Sequence, residues 1–375
     1  MAGHCYFIGT SWHDVMVANH FKALGRELAA RGHRVVFLID GQKRDAEDHA
    51  ANPAVYTWPS PRPTGARDLL FMRRLVRRYR PDCLIANFGA VNTMLMAGRA
   101  VGVSVRVAWY HTVSGTVDLN SERPSWQTRL LRRRKRLVYD LATHLVAVSE
   151  AASDDLRRVY AVSADKVSVW RLLLRDPRAG AAGEPARDEW RVLCVGGLLP
   201  AKGQDVLLRA LPALAARFPR LRVDFVGAGP KRADYEALAH ELGVAERCCF
   251  AGAVPHAEVL ARMAAAAVVV VPSRAEALAV VNVEALAMGT PVVGARVGGI
   301  VEAVRDGVDG FLAPAGDPAA MGERIGRLLA DPALRRSMGV AARQGFLQRL
   351  ELEANIGRQA SWYEQLVTQA AQATG

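Results

Sequence analysis

An apolar run at Cys5–Gly9 is followed by a small-residue loop at Thr10 and Ser11, an amphipathic stretch over 15–31 that stops at Gly32, and a second apolar run over 35–39. This predicts a strand, a helix and a strand. Further apolar runs at 83–86, 103–109 and 145–148 alternate with helical periodicity, the pattern of a parallel sheet with helices on both faces. Residues 176–185 (DPRAGAAGEP) are small, rich in Pro and Gly and without periodicity, which marks a linker. A second series then begins, with strands expected at 192–195, 223–226, 248–251 and 267–271 and helices at 205–217, 233–242 and 257–265. The four valines Val268, Val269, Val270 and Val271, bounded by Pro272 and Ser273, suit a strand buried on both faces. A helix over 278–288 ends at Gly289 with Pro291 beyond it, a strand follows at Val292 and Val293, and the last thirty or so residues, through Trp362 and Tyr363, read as helix with a small polar tail.

The fold class is therefore α/β, with two Rossmann-like domains: 1–175, a linker at 176–190, and 191–355, followed by a helix at 356–375. Ligands are expected at the C-terminal ends of the strands and between the domains. With 51% hydrophobic and 23% charged residues, the chain is a folded protein rather than a disordered one. Its apolar stretches are too short for the roughly 20 residues of a bilayer span, and no secretory signal opens it, so a cytoplasmic location is expected. Five scattered cysteines, outside any C-x-x-C spacing, read as reduced thiols. The net charge of +12 is uneven: residues 1–175 hold 27 Lys and Arg against 15 Asp and Glu, whereas 176–375 hold 22 of each. Such asymmetry points to an anionic partner for the first domain.

Nucleotide signatures are only partly present. Gly227-Ala228-Gly229-Pro230 begins like a dinucleotide fingerprint, but Arg232 stands where the third glycine belongs. Lys202-Gly203 is in the wrong order for a P-loop, and there is no Asp-x-Asp to clamp a metal diphosphate. Glu276 and Glu284 stand eight residues apart at the expected opening of the 278–288 helix. A helix start at a strand end is an anion site. Eight helical residues rise about 12 Å, wider than the roughly 5–9.5 Å of a glycosidase carboxylate pair. The two acids suit a long ligand with a phosphate between them. The plainer reading makes Glu276 a helix cap and Glu284 a surface residue.

Residues 273–293 (SRAEALAVVNVEALAMGTPVV) resemble the E-x7-E segment of family 4 glycosyltransferases. The resemblance extends to Val195-Gly196-Gly197-Leu198-Leu199-Pro200-Ala201-Lys202-Gly203, Val226-Gly227-Ala228-Gly229-Pro230, Phe250-Ala251-Gly252, Gly298-Gly299-Ile300-Val301-Glu302 and Asp306-Gly307-Val308-Asp309-Gly310-Phe311-Leu312. In the first half it covers Ala147-Val148-Ser149-Glu150 and His111. It implies the GT-B fold, two Rossmann-like domains facing across a cleft, the first for acceptor and the second for nucleotide sugar, with the final helix crossing back. By resemblance, Glu284 holds ribose hydroxyls, Glu276 contacts the transferred sugar and Lys202 neutralises the diphosphate. The backbone of Leu278, Ala279 and Val280 cradles the distal phosphate, Phe250 and Gly252 lie near the base, Gly196, Gly197 and Gly227 complete the donor loops, and His111 faces the donor sugar. The implied reaction retains anomeric configuration, with the leaving phosphate helping to deprotonate the acceptor. It needs neither a nucleophile nor a metal, and a UDP-sugar is favoured over a GDP-sugar.

Two departures stand out. Family members commonly carry Gly-Arg-Leu where this chain has Gly196-Gly197-Leu198, and Glu-Gly-Phe-Gly where it has Glu276-Ala277-Leu278-Ala279. A charged phosphate contact is worth about 1.5–3 kcal/mol, so loss of the arginine weakens donor binding roughly tenfold unless another cation, for which Arg274 is the candidate, replaces it.

The basic excess gathers at 69–80, where apolar residues at 71, 72, 75, 76 and 79 are interleaved with arginines, and at Arg129, Arg132, Arg133, Arg134, Lys135 and Arg136. Either the apolar sides pack on the sheet beneath solvated arginines, or the clusters dock on anionic lipid at the cytoplasmic face of the membrane, where a lipid-linked acceptor lies. No nucleic-acid module accompanies them. The expected function is a retaining glycosyltransferase of cell-surface polysaccharide, lipopolysaccharide or glycolipid synthesis, with a glycan or lipid-linked acceptor. The alternatives are a weakened member that binds without turnover and a basic nucleic-acid-binding protein.

Overall fold

The computed structural model describes residues 3–13, 15–40, 44–121, 123–180 and 186–373. In chain order the first half runs β1 (Cys5–Gly9), α1 (Met16–Ala30), β2 (Arg34–Ile39), β3 (Ala54–Thr57), α2 (Ala66–Tyr79), β4 (Cys83–Ala86), α3 (Val91–Val101), β5 (Val105–Tyr110), α4 (Ser114–Leu119), α5 (Ser125–Asp140), β6 (His144–Ala147), α6 (Glu150–Tyr160) and β7 (Val167–Val169). The second runs β8 (Asp188–Val195), α7 (Gln204–Arg217), β9 (Arg222–Val226), α8 (Arg232–Glu241), β10 (Cys248–Gly252), α9 (His256–Ala265), β11 (Ala266–Val271), α10 (Val280–Ala287), β12 (Val292–Ala295), α11 (Ile300–Ala303), β13 (Gly310–Ala313), α12 (Pro318–Ala330), α13 (Pro332–Arg349) and α14 (Leu352–Gln372).

These elements form two units. The first takes the described residues of Met1–His111, Arg123–Arg175 and Leu352–Gly375, and the second those of Thr112–Glu122 and Asp176–Glu351. The short segment after His111, which the sequence places in the first domain, thus folds with the second. Of the expected linker, residues 181–185 lie outside the described residues. Its first residue, Asp176, is held within the second unit by both terminal nitrogens of Arg343, at 2.6 and 2.5 Å.

The first unit is a seven-stranded parallel sheet in the order β3-β2-β1-β4-β5-β6-β7. Every residue of β1 is buried, because both faces of a central parallel strand are covered. The final helix, expected from residue 356, starts at Leu352 and packs on α1. Arg31 donates to Ser361 and Glu364, each at 2.9 Å, and His33 Nε2 meets Glu364 at 2.8 Å. The second unit is a six-stranded parallel sheet in the order β10-β9-β8-β11-β12-β13, with all six residues of β11 buried. The short edge strands β3, β7 and β13, three to four residues each, are not predicted by the apolar pattern. The helix expected over 278–288 is shorter, Val280–Ala287; its start is delayed because Ala279, just before it, takes a left-handed conformation with φ 56°.

A cluster of rings lies beneath α1 and α14. Trp109 meets Phe21 edge-on at 5.0 Å and His20 at 5.6 Å, stacks with His111 at 5.8 Å, and donates its indole N–H to the hydroxyl of the fully buried Tyr363 at 2.7 Å. His20 accepts the Leu173 backbone N–H on Nδ1 at 3.1 Å, so the ring is held neutral. Burial pushes its pKa down to about 3, and burial followed by the charge of His20 does the same for His111.

Two expectations follow from this cluster. Tyr363→Phe leaves a buried indole N–H unpaired, costing about 1–3 kcal/mol and lowering the melting temperature by about 2–4 °C per kcal/mol, readable by calorimetry. As pH falls below about 6.5, the unfolded histidines bind protons that the folded ones refuse, so stability is lost with acidification toward pH 3 and is flat on this account above neutrality. Urea unfolding at a series of pH values checks the slope; His20→Phe lowers stability at neutral pH yet flattens the decline.

Candidate active site

In the second unit the strand order reverses between β8 and β11, and in such sheets the crevice beyond the carboxyl ends of those two strands is the ligand site. The loop after β8 carries Gly196, Gly197 and Lys202, and the loop after β11 carries Arg274 and Glu276. Two glycines let these loops touch each other and the loop after β12. Gly203 has φ 67°, and a Cβ there would lie 2.1 Å from the Pro272 carbonyl oxygen; Gly298, at φ 49°, would put one 1.8 Å from the carbonyl oxygen of Glu276. No side chain fits either place. Backbone hydrogen bonds from Arg274 N to Ala201 O (2.8 Å) and from Gly299 N to Glu276 O (3.2 Å) complete the contact.

The consequence is an ion pair. Lys202 Nζ donates to Glu276 Oε2 at 2.5 Å, with the lysine side chain 29% and the glutamate 12% exposed. Glu284, on α10, is buried, and its Oε1 meets His256 Nε2 at the start of α9, at 2.7 Å. Glu276 lies before α10 rather than on it, so the helical rise does not set its separation from Glu284. Leu278 and Ala279 are buried and Val280 opens the helix, whose N-terminus has no side-chain cap. Its first N–H groups are those that an α-helix leaves without partners of its own.

Arg274 does not stand ready for a phosphate as the sequence expects. Both its terminal nitrogens bind Asp205, at 2.8 and 2.6 Å, and one also reaches the Pro200 carbonyl at 3.1 Å. Gly197 O accepts from Gln204 Nε2 at 3.0 Å. On the β10 side, Phe250 stacks on Phe225 at 4.8 Å, its carbonyl accepts from Arg232 at 2.9 Å, and Gly227 N donates to Gly252 O at 2.8 Å. His256, Asp205 and α4 were missed by sequence reasoning. Asn120 Oδ1, just past α4, accepts from Ala201 N at 3.0 Å, and Thr116 Oγ1 donates to Ala275 O at 3.2 Å, so this segment braces both loops. No periodic signal announces any of these contacts.

His111 belongs to the first unit. Asn87 donates through Nδ2 to Gly9 O at 2.9 Å, so its Oδ1 accepts from His111 Nε2 at 2.8 Å. The ring therefore carries its proton on Nε2, leaving Nδ1 an acceptor, buried and without a partner among the described residues. Nearby, at the reversal between β1 and β4, a cavity of about 400 Å3 is lined by Thr10, Asp40, Trp58, Arg62, Asn87 and Phe88, among others.

Residues 17–172 match the family described as Glycosyltransferase Family 4, and residues 180–345 match Glycosyl transferases group 1. Among curated proteins, the chain is 39% identical over 176 residues to the GDP-mannose-dependent alpha-(1-6)-phosphatidylinositol monomannoside mannosyltransferase of Mycolicibacterium smegmatis, covering 45% of this chain and 46% of that one. It is 37% identical over 221 residues to D-inositol 3-phosphate glycosyltransferase 1 of Catenulispora acidiphila, covering 54% and 53%. The chain thus spans about half the length of the curated relatives it matches. Among solved structures it superposes on sucrose-phosphate synthase from Thermosynechococcus elongatus with a TM-score of 0.75 at 22% identity, covering 98% of this chain and 100% of that one. It also superposes on Anabaena Alr3699/HepE in complex with UDP, with a TM-score of 0.73 at 21% identity, covering 96% and 99%. These two likenesses show the fold. With two parallel Rossmann-like sheets, and with one family match on each half, the chain belongs to the family 4 glycosyltransferases of GT-B fold.

Proposed function

We propose that this protein transfers a sugar, with retention of configuration, from a nucleoside-diphosphate sugar to a hydroxyl of a glycan or lipid-linked acceptor. The observation that carries the reading is the Lys202–Glu276 pair beside the uncapped start of α10. A diphosphate needs cationic and N–H donors, and sugar hydroxyls need carboxylate acceptors; this crevice offers both within one ion pair. A bound diphosphate draws the Lys202 ammonium toward itself and frees Glu276 for the sugar hydroxyls. Charge growing on the departing phosphate is then met by a fixed cation and helix N–H groups. Glu284, steadied by His256, takes the ribose hydroxyls, and Phe250 and Gly252 border the base. His111, neutral with its proton on Nε2, is a hydrogen-bonding group for the donor sugar rather than a charge. Acceptor hydroxyls fit the cavity at Asp40 and Asn87, with Arg62 for an acidic substituent.

UDP was the favoured nucleotide from the sequence. The Mycolicibacterium relative is named for GDP-mannose, whereas Alr3699/HepE was solved with UDP, so both belong in the test. Binding without turnover is the second reading, favoured by Arg274 being committed to Asp205 where the family's second phosphate cation is missing.

A ligand that binds only the folded state raises its melting temperature. Titration with UDP, GDP, ADP, dTDP and CMP is therefore expected to give stabilisation by one diphosphate, lost in Lys202→Ala. Glu284→Ala weakens the free nucleotide roughly tenfold or more, whereas Glu276→Ala spares it and impairs only the sugar nucleotide; equal effects on both ligands refute the division of roles. Donor binding without product in a radiolabelled-sugar assay selects the second reading. Ala279→Gly relieves a left-handed alanine and is expected to raise stability by about 1 kcal/mol, seen as a higher melting temperature.

A further inference from the structure

The two basic helices of the first unit are built differently. In α2 the apolar residues Met72, Leu75 and Val76 are buried and the arginines face outward, an ordinary amphipathic helix on a sheet. In α5 a second apolar stripe faces away from the protein. Trp126, Leu130 and Leu137 are 61%, 62% and 62% exposed, and at 3.6 residues per turn they fall within about 40° of one another around the helix. The opposite side is the packed one. There Tyr139 is buried, and Lys135 Nζ sits over the rings of Tyr110, Tyr139 and Tyr160 at 4.8, 5.5 and 5.2 Å. Arg133 and Arg134 flank the exposed stripe, with Arg129 and Arg136 beyond them, all exposed. The packed face accounts for how the helix sits on the sheet, but the outward Trp126, Leu130 and Leu137 contribute no burial to it. A large exposed apolar patch rimmed by polar groups marks an interaction site.

We propose that the outward face of α5 is a membrane-docking surface that inserts Trp126, Leu130 and Leu137 into an anionic bilayer while Arg129, Arg133, Arg134 and Arg136 engage lipid phosphates. The inference deepens the reading of a lipid-linked acceptor and rests on it. Charge complementarity selects the occupant. Leucine and tryptophan amid arginines is the composition of a helix lying in the interface plane, and each basic residue near an anionic surface adds to binding. The stripe is about 16 Å long and only three side chains wide. A second copy meeting it across a two-fold axis would bring the same arginines face to face. None of the described helices is long and apolar enough to cross a membrane, and docking along the surface does not require one.

The test is co-sedimentation of the full chain with vesicles of phosphatidylcholine alone and of equal parts phosphatidylcholine and phosphatidylglycerol, alongside the nucleotide titration. The wild-type protein is expected to bind only the anionic vesicles. Trp126→Ala with Leu130→Ser and Leu137→Ser, and separately Arg133→Glu with Arg134→Glu, should each weaken that binding roughly tenfold or more without altering the nucleotide-induced thermal shift. Brominated lipid should quench the fluorescence difference between wild type and Trp126→Phe, which locates the indole among the acyl chains. Unchanged vesicle binding in the apolar variant, equal binding to neutral vesicles, or a wild-type dimer in ultracentrifugation that the apolar variant converts to monomer would each overturn the proposal. Vesicle loss with an intact nucleotide shift is the docking result alone. Vesicle binding by a protein that no nucleotide stabilises leaves the surface standing and removes the glycosyltransfer reading.

Discussion

Backbone touches backbone at two places in the second unit, and the geometry of the crevice beyond β8 and β11 depends on those contacts. Because Gly203 lies against the Pro272 carbonyl and Gly298 against that of Glu276, three loops leaving three different strands close to the distance of bare peptide groups. At that distance the lysine near the end of one loop reaches a carboxylate in the middle of another with a 2.5 Å hydrogen bond. The brace from Asn120 and Thr116 fixes the same two loops from outside the sheet. Preorganised charge of this kind is what stabilises a leaving group without reorganisation at the moment of reaction.

Ala279 shows how strongly that arrangement is imposed. An L-residue with a side chain disfavours the left-handed region by roughly 1–2 kcal/mol, yet the backbone keeps φ 56° there, and α10 begins where a glycine would have let it begin. The family's glycine is missing while the conformation it serves remains. A departure in sequence is thus not a departure in backbone shape, whereas at Gly197 a side chain is absent outright and Arg274 is tied to Asp205.

What could be read from the sequence follows from what leaves a periodic trace. Central strands such as β1 and β11 are buried on both faces and show as unbroken apolar runs, so they were legible to within a residue or two. Edge strands β3, β7 and β13 are only three or four residues long, too short to stand out from the loops around them. Spacing and resemblance single out Lys202, Glu276 and Glu284 as candidates, but not the pairing of Lys202 with Glu276, 74 residues apart. His256, Asp205 and the brace at α4 act through one or two atoms each, and isolated atoms have no period. The charge excess of the first half was countable, whereas its disposition was not. Composition treats α2 and α5 alike, and only the fold shows that α2 buries Met72, Leu75 and Val76 while α5 turns Trp126, Leu130 and Leu137 outward.

The closing helix carries a consequence for how the chain is made. Trp109 and Tyr363, whose hydrogen bond ties β5 to α14, are 254 residues apart, and between them lies all of Asp176–Glu351, a compact unit in its own right. At about 5–20 residues per second, a ribosome needs roughly 10–50 s to travel from one to the other. During that interval the earlier sheet has emerged with its tryptophan pocket uncovered, while the later sheet has every strand it requires. The unit begun first is finished after the second, and for all of that interval the nascent chain carries that apolar surface waiting for its cover.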